Sequence, residues 1–512
     1  MFKNHPRGLL AAALANMGER FGFYTMMGIL VLFLQAKFGL SDTNAGLIYS
    51  VFYFSIYILA FVGGLIADRT RNYKGTILVG LVVMALGYFL IAFPTKTPVP
   101  DQTLYLIISC IGLFTIAFGN GLFKGNLQAL VGQMYDNSAF SKMRDSGFSL
   151  FYMFINVGAL FAPLIAVAVR NGWLGSNGYE YNASLPELCH AYLNNNITPE
   201  AQEKLAVLAN EVSRGIQVTD LGAFANNYLN VFATGFHYAF GVSIFAMMIS
   251  LVIYLVNKKI FPNPGPKVTT KAAMDKSTIH MDAKEIKQRI YALFAVFGVV
   301  IFFWFSFHQN GLTLTYFAKD YTDLSMIKIN LGFTEIRGAE IFQSINPLFI
   351  VLLTPIIMAF FSYLRSRNIE PSTPKKIAIG MFIAAMAYVL MAAGSFGLPL
   401  KSEVISMGGL PEASRVTPFL LIGTYFILTV AELFISPLGI SFVSKVAPPQ
   451  YQGIMQGGWL GATAIGNQLL FIGAIFYDSI PIWLTWTMFV VACLLSMVTM
   501  LIMLKWLERV AK

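Results

Sequence analysis

The sequence predicts an all-α integral membrane protein of twelve spanning helices in two six-helix halves. Three observations predict it. Of 512 residues, 56% are hydrophobic and only 12% are charged, about half the charged share of an ordinary globular chain. The apolar residues fall in runs of about 20 or more, the length a helix needs to cross a bilayer. Lys and Arg are distributed unevenly between alternate connecting segments. This composition excludes a disordered chain, a disulfide scaffold and a soluble enzyme. The three cysteines, Cys110, Cys189 and Cys493, fit neither a metal-ligand spacing nor a disulfide framework.

The first run, 8–36, opens directly after Met1-Phe-Lys-Asn-His-Pro-Arg7. It has no small-residue cleavage site and reads as a retained span, not a signal peptide. The next runs are 43–67, 75–95, 103–134 and 147–169. Residues 170–235 are rich in Asn, Gly and Tyr and hold an amphipathic stretch, Glu200 to Val212, but no spanning run. They predict an insertion before the sixth span, 236–257. Residues 258–289 are polar and basic, contain no apolar run, and part six spans from six. The remaining spans are 290–318, 338–364, 377–397, 417–444, 453–477 and 481–504.

An even number of spans puts both termini on one side. Segments on that side hold 23 of the 35 Lys and Arg residues, and segments on the other hold 10. Because these residues collect in cytoplasmic loops, both termini are expected in the cytoplasm. The net charge of +10 is thus an orientation signal and does not point to nucleic acid. The expected units are an N-terminal bundle (1–169 with 236–257), an outer insertion (170–235), a cytoplasmic linker (258–289) and a C-terminal bundle (290–512). This plan resembles the major facilitator superfamily, in which the substrate site lies at mid-membrane between the halves.

Ionisable groups at membrane depth are costly and mark ion or substrate paths. Those deep within the predicted spans are Glu19 and Arg20 in the first, Lys124 in the fourth, His308 in the seventh and Glu432 in the tenth. Asn16, Glu19, Arg20 and Tyr24 recur at helical spacing and share one face, which must point into the bundle. Glu19 with Arg20 reads either as a working pair or as a neutral lock between helices. Lys124 lies among Gly119, Gly121 and Gly125, small residues that let a neighbouring helix approach. Lys124 needs an anionic partner, and an ion pair to Glu432 across the halves is expected. It would break when Glu432 is protonated or an anionic ligand takes over Lys124. His308 is equally a proton relay or a neutral hydrogen-bonding residue. Tyr57, Asn156, Asn346, Trp459 and Thr463 stand on otherwise apolar helices, where packing is the commoner role.

Several stretches resemble the proton-dependent oligopeptide transporter family. They are Glu19-Arg20-Phe21 with Tyr24, Gly63-Gly64-Leu-Ile-Ala-Asp68-Arg69, Phe123-Lys124-Gly-Asn126, Phe151-Tyr-Met-Phe-Ile-Asn156-Val-Gly158, Phe342-Gln-Ser-Ile-Asn346-Pro347, Pro371-Ser-Thr-Pro374 and Glu432-Leu-Phe-Ile-Ser-Pro437 through Ala447-Pro-Pro449. The resemblance implies proton-driven uptake of di- and tripeptides, by a monomer that needs no cofactor beyond the coupling proton; compact termini without a targeting signal make a bacterial inner membrane the expected location. It implies that Lys124 and Tyr24 hold the peptide carboxylate, and that Glu432, Asn156 and Asn346 hold the amino end. Tyr57, Trp304, Trp459 and Thr463 would line side-chain pockets beside His308. Glu19, Arg20, Lys124, His308 and Glu432 would carry proton coupling, with Glu432 the main proton acceptor.

The departures from the family pattern are equally informative. The first Glu of the first-span motif is Asn16, the first Tyr is Phe23, the following Arg is Met27, and the acid of the seventh span is His308. That Arg and acid pair at the outer gate of relatives, so their joint loss leaves no orphan charge. One fewer cation for the carboxylate leaves two alternatives: a relative moving another small zwitterion or anion, or uncoupled peptide movement. A peptide-binding receptor would need a partner domain, and the linker is short for one. No nucleophile–base pair or metal cluster at membrane depth suggests an enzyme.

Overall fold

The computed structural model describes residues 5–135, 140, 143–262, 282–448 and 451–510. The central part of the basic linker, 263–281, lies outside the described residues, as does Pro449 of the tenth-span motif. Twelve helices are long and apolar enough to span a membrane: Arg7–Phe38, Asp42–Thr70, Tyr73–Ala92, Gln102–Met134, Gly147–Ser176, Leu221–Asn257, Ala283–Asp320, Ala339–Ser366, Thr373–Gly394, Pro418–Val443, Ile454–Ser479 and Ile482–Val510. All twelve expected spans are present. With an even number of spans, Arg7 and Val510 lie at one end of the bundle, here the proximal end, and the opposite end is distal.

Each span starts where local chemistry lets a helix start. Ser41, Asp101 and Asp220 cap the second, fourth and sixth spans by accepting backbone N–H bonds, satisfying donors that the first helical turn leaves free. Gly39 ends the first span in the left-handed conformation at φ 64°, which a residue without Cβ adopts at no cost. Side chains facing out of the bundle are large and apolar, among them Leu65, Phe245, Ile356 and Ile502, as lipid contact requires. The first span is the most enclosed of the twelve and therefore the natural carrier of polar groups.

Helices cross closely where glycine permits it. A Cβ on Gly63 would lie 2.1 Å from the Gly121 carbonyl oxygen, and one on Gly121 would lie 2.4 Å from that of Leu59. Of the glycines beside Lys124, Gly121 thus seats the fourth span against the second, Gly119 seats it against Gly80 and Met84 of the third, and Gly125 has nothing within 4 Å.

Three boundaries differ most from the sequence reading. The fifth span runs on to Ser176 and the sixth begins at Leu221, so the insertion is 177–220 and not 170–235. The extra turns stand beyond the apolar runs and bury polar residues such as Arg170 and Asn171. The insertion forms two short helices, Leu185–Leu193 and Pro199–Val212, the second on the amphipathic stretch. Helix also begins at Ala283, inside the segment expected as linker. The seventh span is not continuous. Its α-helix ends at Phe307, residues His308–Gly311 form a 3₁₀ turn, and α-helix resumes over Thr313–Asp320. A two-residue hairpin, β1 (Ile329–Asn330) and β2 (Glu335–Ile336), follows at the distal end, with Ile329 opposite Ile336.

Candidate functional site

The buried polar groups of the first half gather on the first, second and fourth spans. Glu19 and Arg20 form a two-bond ion pair, Nε–Oε2 2.5 Å and Nη2–Oε1 2.7 Å. Asn120 of the fourth span donates to Glu19 Oε1 at 2.6 Å, and the Arg20 guanidinium lies 4.5 Å from the centre of the Phe23 ring. Glu19 is fully buried, so the pair is enclosed by protein. Lys124, one turn beyond Asn120, sets its ammonium 4.8 Å from the centre of the Tyr57 ring, a cation–π contact. Asn156 of the fifth span donates to the Tyr152 carbonyl of its own helix at 3.1 Å.

The second half supplies an acid and an imidazole. Glu432 Oε2 accepts a 2.9 Å bond from Asn346 Nδ2, which also lies 3.0 Å from Thr429 Oγ1. His308 opens the 3₁₀ turn of the seventh span. Its Nδ1 lies 2.5 Å from Asn467 Oδ1, and its ring stacks on Trp304 at 4.8 Å. The Tyr53 ring of the first half lies 4.8 Å from the imidazole, tilted by 44°. Trp459 is buried against Gly439, and Thr463 Oγ1 donates to the Trp459 carbonyl at 3.1 Å. The buried Trp304 Nε1 and Asn467 Nδ2 have no hydrogen-bond partner among the described residues.

The expected Lys124–Glu432 ion pair is not formed: among the described residues neither group takes part in a salt bridge. Each is held within its own half instead, Glu432 by Asn346 and Lys124 over Tyr57. Asn120, Tyr53, Thr429 and Asn467 were not foreseen as site residues. Helical spacing could have found them, since each stands one turn from a residue that was (Lys124, Tyr57, Glu432 and Thr463).

The placing of all but two basic residues outside the spans is also corrected. Lys37, Arg170 and Lys319 lie on the last turns of spans that run longer than their apolar cores, and all three are buried. Lys37 donates to the Thr95 carbonyl and Thr97 Oγ1. Arg170 pairs with Glu340. Lys319 and Lys401 share Asp42, Asp320 and Glu187, the shortest contact being Lys401 Nζ to Asp320 Oδ2 at 2.7 Å. Burial disfavours ionised Glu187, but Lys401 and Lys319 hold its carboxyl below the ordinary carboxylate range. Thr43 N and Oγ1 both donate to Asp478 Oδ2. Apart from those of Lys37, these contacts join the halves at the distal end, and a cavity of about 390 Å³ there is lined by Gln35, Asp42, Glu187, His190, Lys319 and Lys401.

The POT family model matches residues 74–278 and 267–482. The chain is 29% identical to the peptide transporter YePEPT of Yersinia enterocolitica over 91% of its length and 87% of that protein's. It is 26% identical to the dipeptide and tripeptide permease B of Shigella dysenteriae, over 88% of this chain and 83% of that one. Among solved structures it is similar to a peptide transporter POT in complex with sulfate, at TM-score 0.72 and 22% identity, covering 100% of this chain and 96% of that one. A POT family transporter in complex with 5-aminolevulinic acid matches at TM-score 0.70 and 23% identity, over 100% and 98% of the two chains. With a family model matching most of its length on a fold of twelve spanning helices, this chain belongs to the POT family of transporters.

Proposed function

We propose that this chain takes up di- and tripeptides with protons across a bacterial inner membrane, by alternating access to a site between residues 5–257 and 283–510. One observation carries the reading. Lys124 and Glu432 stand on opposite halves at membrane depth, and among the described residues neither is consumed by a salt bridge. A zwitterionic peptide needs one cation and one anion held apart, and these two groups supply them. Lys124 with Tyr24 takes the carboxylate, and Glu432 with Asn346 and Asn156 takes the amino end. Tyr57, Trp304, His308, Trp459 and Thr463 flank the side chains. Glu432 gains and loses the coupled proton, tuned by His308 and by the Glu19–Arg20 pair. One chain provides both halves of the site, so the transport unit is a monomer. The Lys and Arg bias of the sequence supports cytoplasmic termini, with the distal contacts then closing the outer face.

A second reading, transport of a zwitterion smaller than a dipeptide, is favoured by Met27. This buried apolar residue stands where relatives carry a cation, which leaves Lys124 as the one carboxylate-binding charge. Dipeptide counterflow in liposomes tests the assignment. Lys124→Ala should lower dipeptide exchange by about 10-fold or more, the loss of one charge-assisted hydrogen bond of ~1.5–3 kcal/mol. Full exchange in that variant would remove Lys124 from the site. Exchange of small amino acids but not dipeptides by the unaltered protein would favour the second reading.

A further inference from the structure

The insertion 177–220 lies away from the central site and touches both halves at the distal end. We propose that it is a strap across the distal mouth, which travels with the N-terminal half and must part from the C-terminal half each time that end opens. The proposal rests on the alternating-access reading above, but not on what is carried.

Both ends of the strap are covalently fixed to one half. It leaves the fifth span after Ser176 and enters the sixth at Leu221. It has an apolar interior, in which Leu185, Cys189, Leu205 and Ala209 are fully buried. Aromatic rings seat it on the sixth span: Tyr179 packs on Tyr228 and Tyr181 on Phe232, with ring centres 5.4 and 6.0 Å apart. Tyr228 Oη donates to the Glu180 carbonyl at 3.3 Å, and His190 Nε2 lies 2.8 Å from the Ala36 carbonyl oxygen of the first span.

The grip on the C-terminal half is of another kind. Glu187 Oε2 lies 3.4 Å from Lys401 Nζ and 3.5 Å from Lys319 Nζ. Thr198 Oγ1 donates to the Ser406 carbonyl at 2.5 Å. A Cβ on Gly408 would lie 2.9 Å from Lys204 Cβ, so the connection between the ninth and tenth spans passes close to the second helix of the strap. Elsewhere the two faces stand apart. One gap of about 190 Å³ is walled by Leu188, Ala191 and Ile197 of the strap and by Asp320, Val404 and Ile405 opposite. A second, of about 240 Å³, sets Lys204 and Glu211 against Arg337, Glu412 and Arg415.

This asymmetry decides which seam parts. Walls that face a gap forgo the dispersion contacts that packed atoms make. The polar contacts across the seam are exchanged for bonds to water when the faces separate, so little is lost. The Glu187 side chain is already 39% exposed, and water screens its two ion contacts. Lifting the strap off its own half would instead expose the packed rings of Tyr179, Tyr181, Tyr228 and Phe232 to water, against two covalent tethers. When the halves separate at the distal end, the strap is therefore drawn off the C-terminal half.

Three spin-label distances, measured without peptide or pH gradient, test this. The labels stand at Phe93 and Phe396, exposed at the distal ends of the third and ninth spans, and at the exposed Gln202 of the strap, taken in pairs with the exposed Cys110 replaced. The 93–396 and 202–396 pairs should each show a second, longer distance in equal population, and the 202–93 pair should show one distance. Glu187→Gln combined with Thr198→Val should raise the longer population about 5-fold in the first two pairs and leave the third unchanged. If that double variant does not fold, Glu187→Gln alone decides. A folded variant with the parent's distributions would overturn the strap. So would a 202–396 distance that stays single while 93–396 lengthens, which leaves alternating access intact. A single 93–396 distance in every protein would overturn alternating access, and the strap with it.

Discussion

Replacing Glu432 by glutamine should separate peptide binding from proton coupling. Gln is nearly isosteric and still offers an oxygen to Asn346 Nδ2, now 2.9 Å from Glu432 Oε2, so the helix contacts survive. The peptide ammonium loses a charged acceptor and keeps a neutral one. A charge-assisted bond contributes about 1.5–3 kcal/mol and a neutral one about 0.5–1.5. The difference of ~1–1.5 kcal/mol corresponds to about 5- to 13-fold weaker binding. Coupling should be lost outright, because the amide cannot take up the proton. One pH unit is worth about 1.4 kcal/mol per proton, so one-for-one symport can concentrate peptide about tenfold. In proteoliposomes with a one-unit pH step, the parent should approach that ratio and Glu432→Gln should equilibrate to a ratio of about 1. Counterflow without a gradient should persist at raised peptide concentration. A variant that still concentrates peptide like the parent would refute Glu432 as the coupling acid. One that loses counterflow at saturating peptide would show that the side chain holds the fold.

Two further expectations concern the scaffold. Gly121→Val should abolish the close crossing of the second and fourth spans, since even a methyl there would lie 2.4 Å from the Leu59 carbonyl oxygen. A loss of several kcal/mol of stability is expected, read as a lower Tm in detergent or as failure to accumulate in the membrane; an unchanged Tm would contradict the crossing. At the proximal end, hydrogen bonds from Arg365 and Lys376 hold the Glu370 carboxyl down to about 2. A carboxyl lowered on folding stabilises the protein fully above its ordinary range, and that share disappears as pH falls toward the lowered value. The Tm gap between parent and Glu370→Gln should therefore be constant from about pH 5 to 8 and shrink below about pH 4. A gap that grows on acidification would reverse the assignment.

The spans were legible because twenty apolar residues in a row have few soluble explanations. The sixth span shows the limit. Its first turns carry Asn226, Asn227 and Asn230, so hydropathy begins the span at 236 while the Asp220 cap starts the helix at 221. Of the site, Lys124 and Glu432 were legible as single charges in apolar surroundings, but their expected mutual pairing was not realised. The sequence shows which groups need partners and leaves open whether those partners come from the same half. Arg170 with Glu340 was missed because the two are 170 positions apart. One of them also lay beyond the predicted end of its span, where a charge needs no explanation. The break coincides with His308-Gln309-Asn310-Gly311, a short polar run inside the expected span 290–318 that helical hydropathy alone does not separate from a continuous helix.

That break makes the seventh span two rigid levers on a common joint. The longer lever, Ala283–Phe307, carries Trp304; the shorter, Thr313–Asp320, carries the Lys319 and Asp320 charges of the distal seam. The joint begins at His308, is wedged by Tyr53, and at Gly311 leaves no room beside the Tyr49 hydroxyl for even a methyl. A displacement of the short lever therefore need not be repeated along the long one. The pivot on which it turns is built from residues that touch the central site. Filling that site and swinging the distal end share a fulcrum, and a bulky side chain at position 311 would jam both.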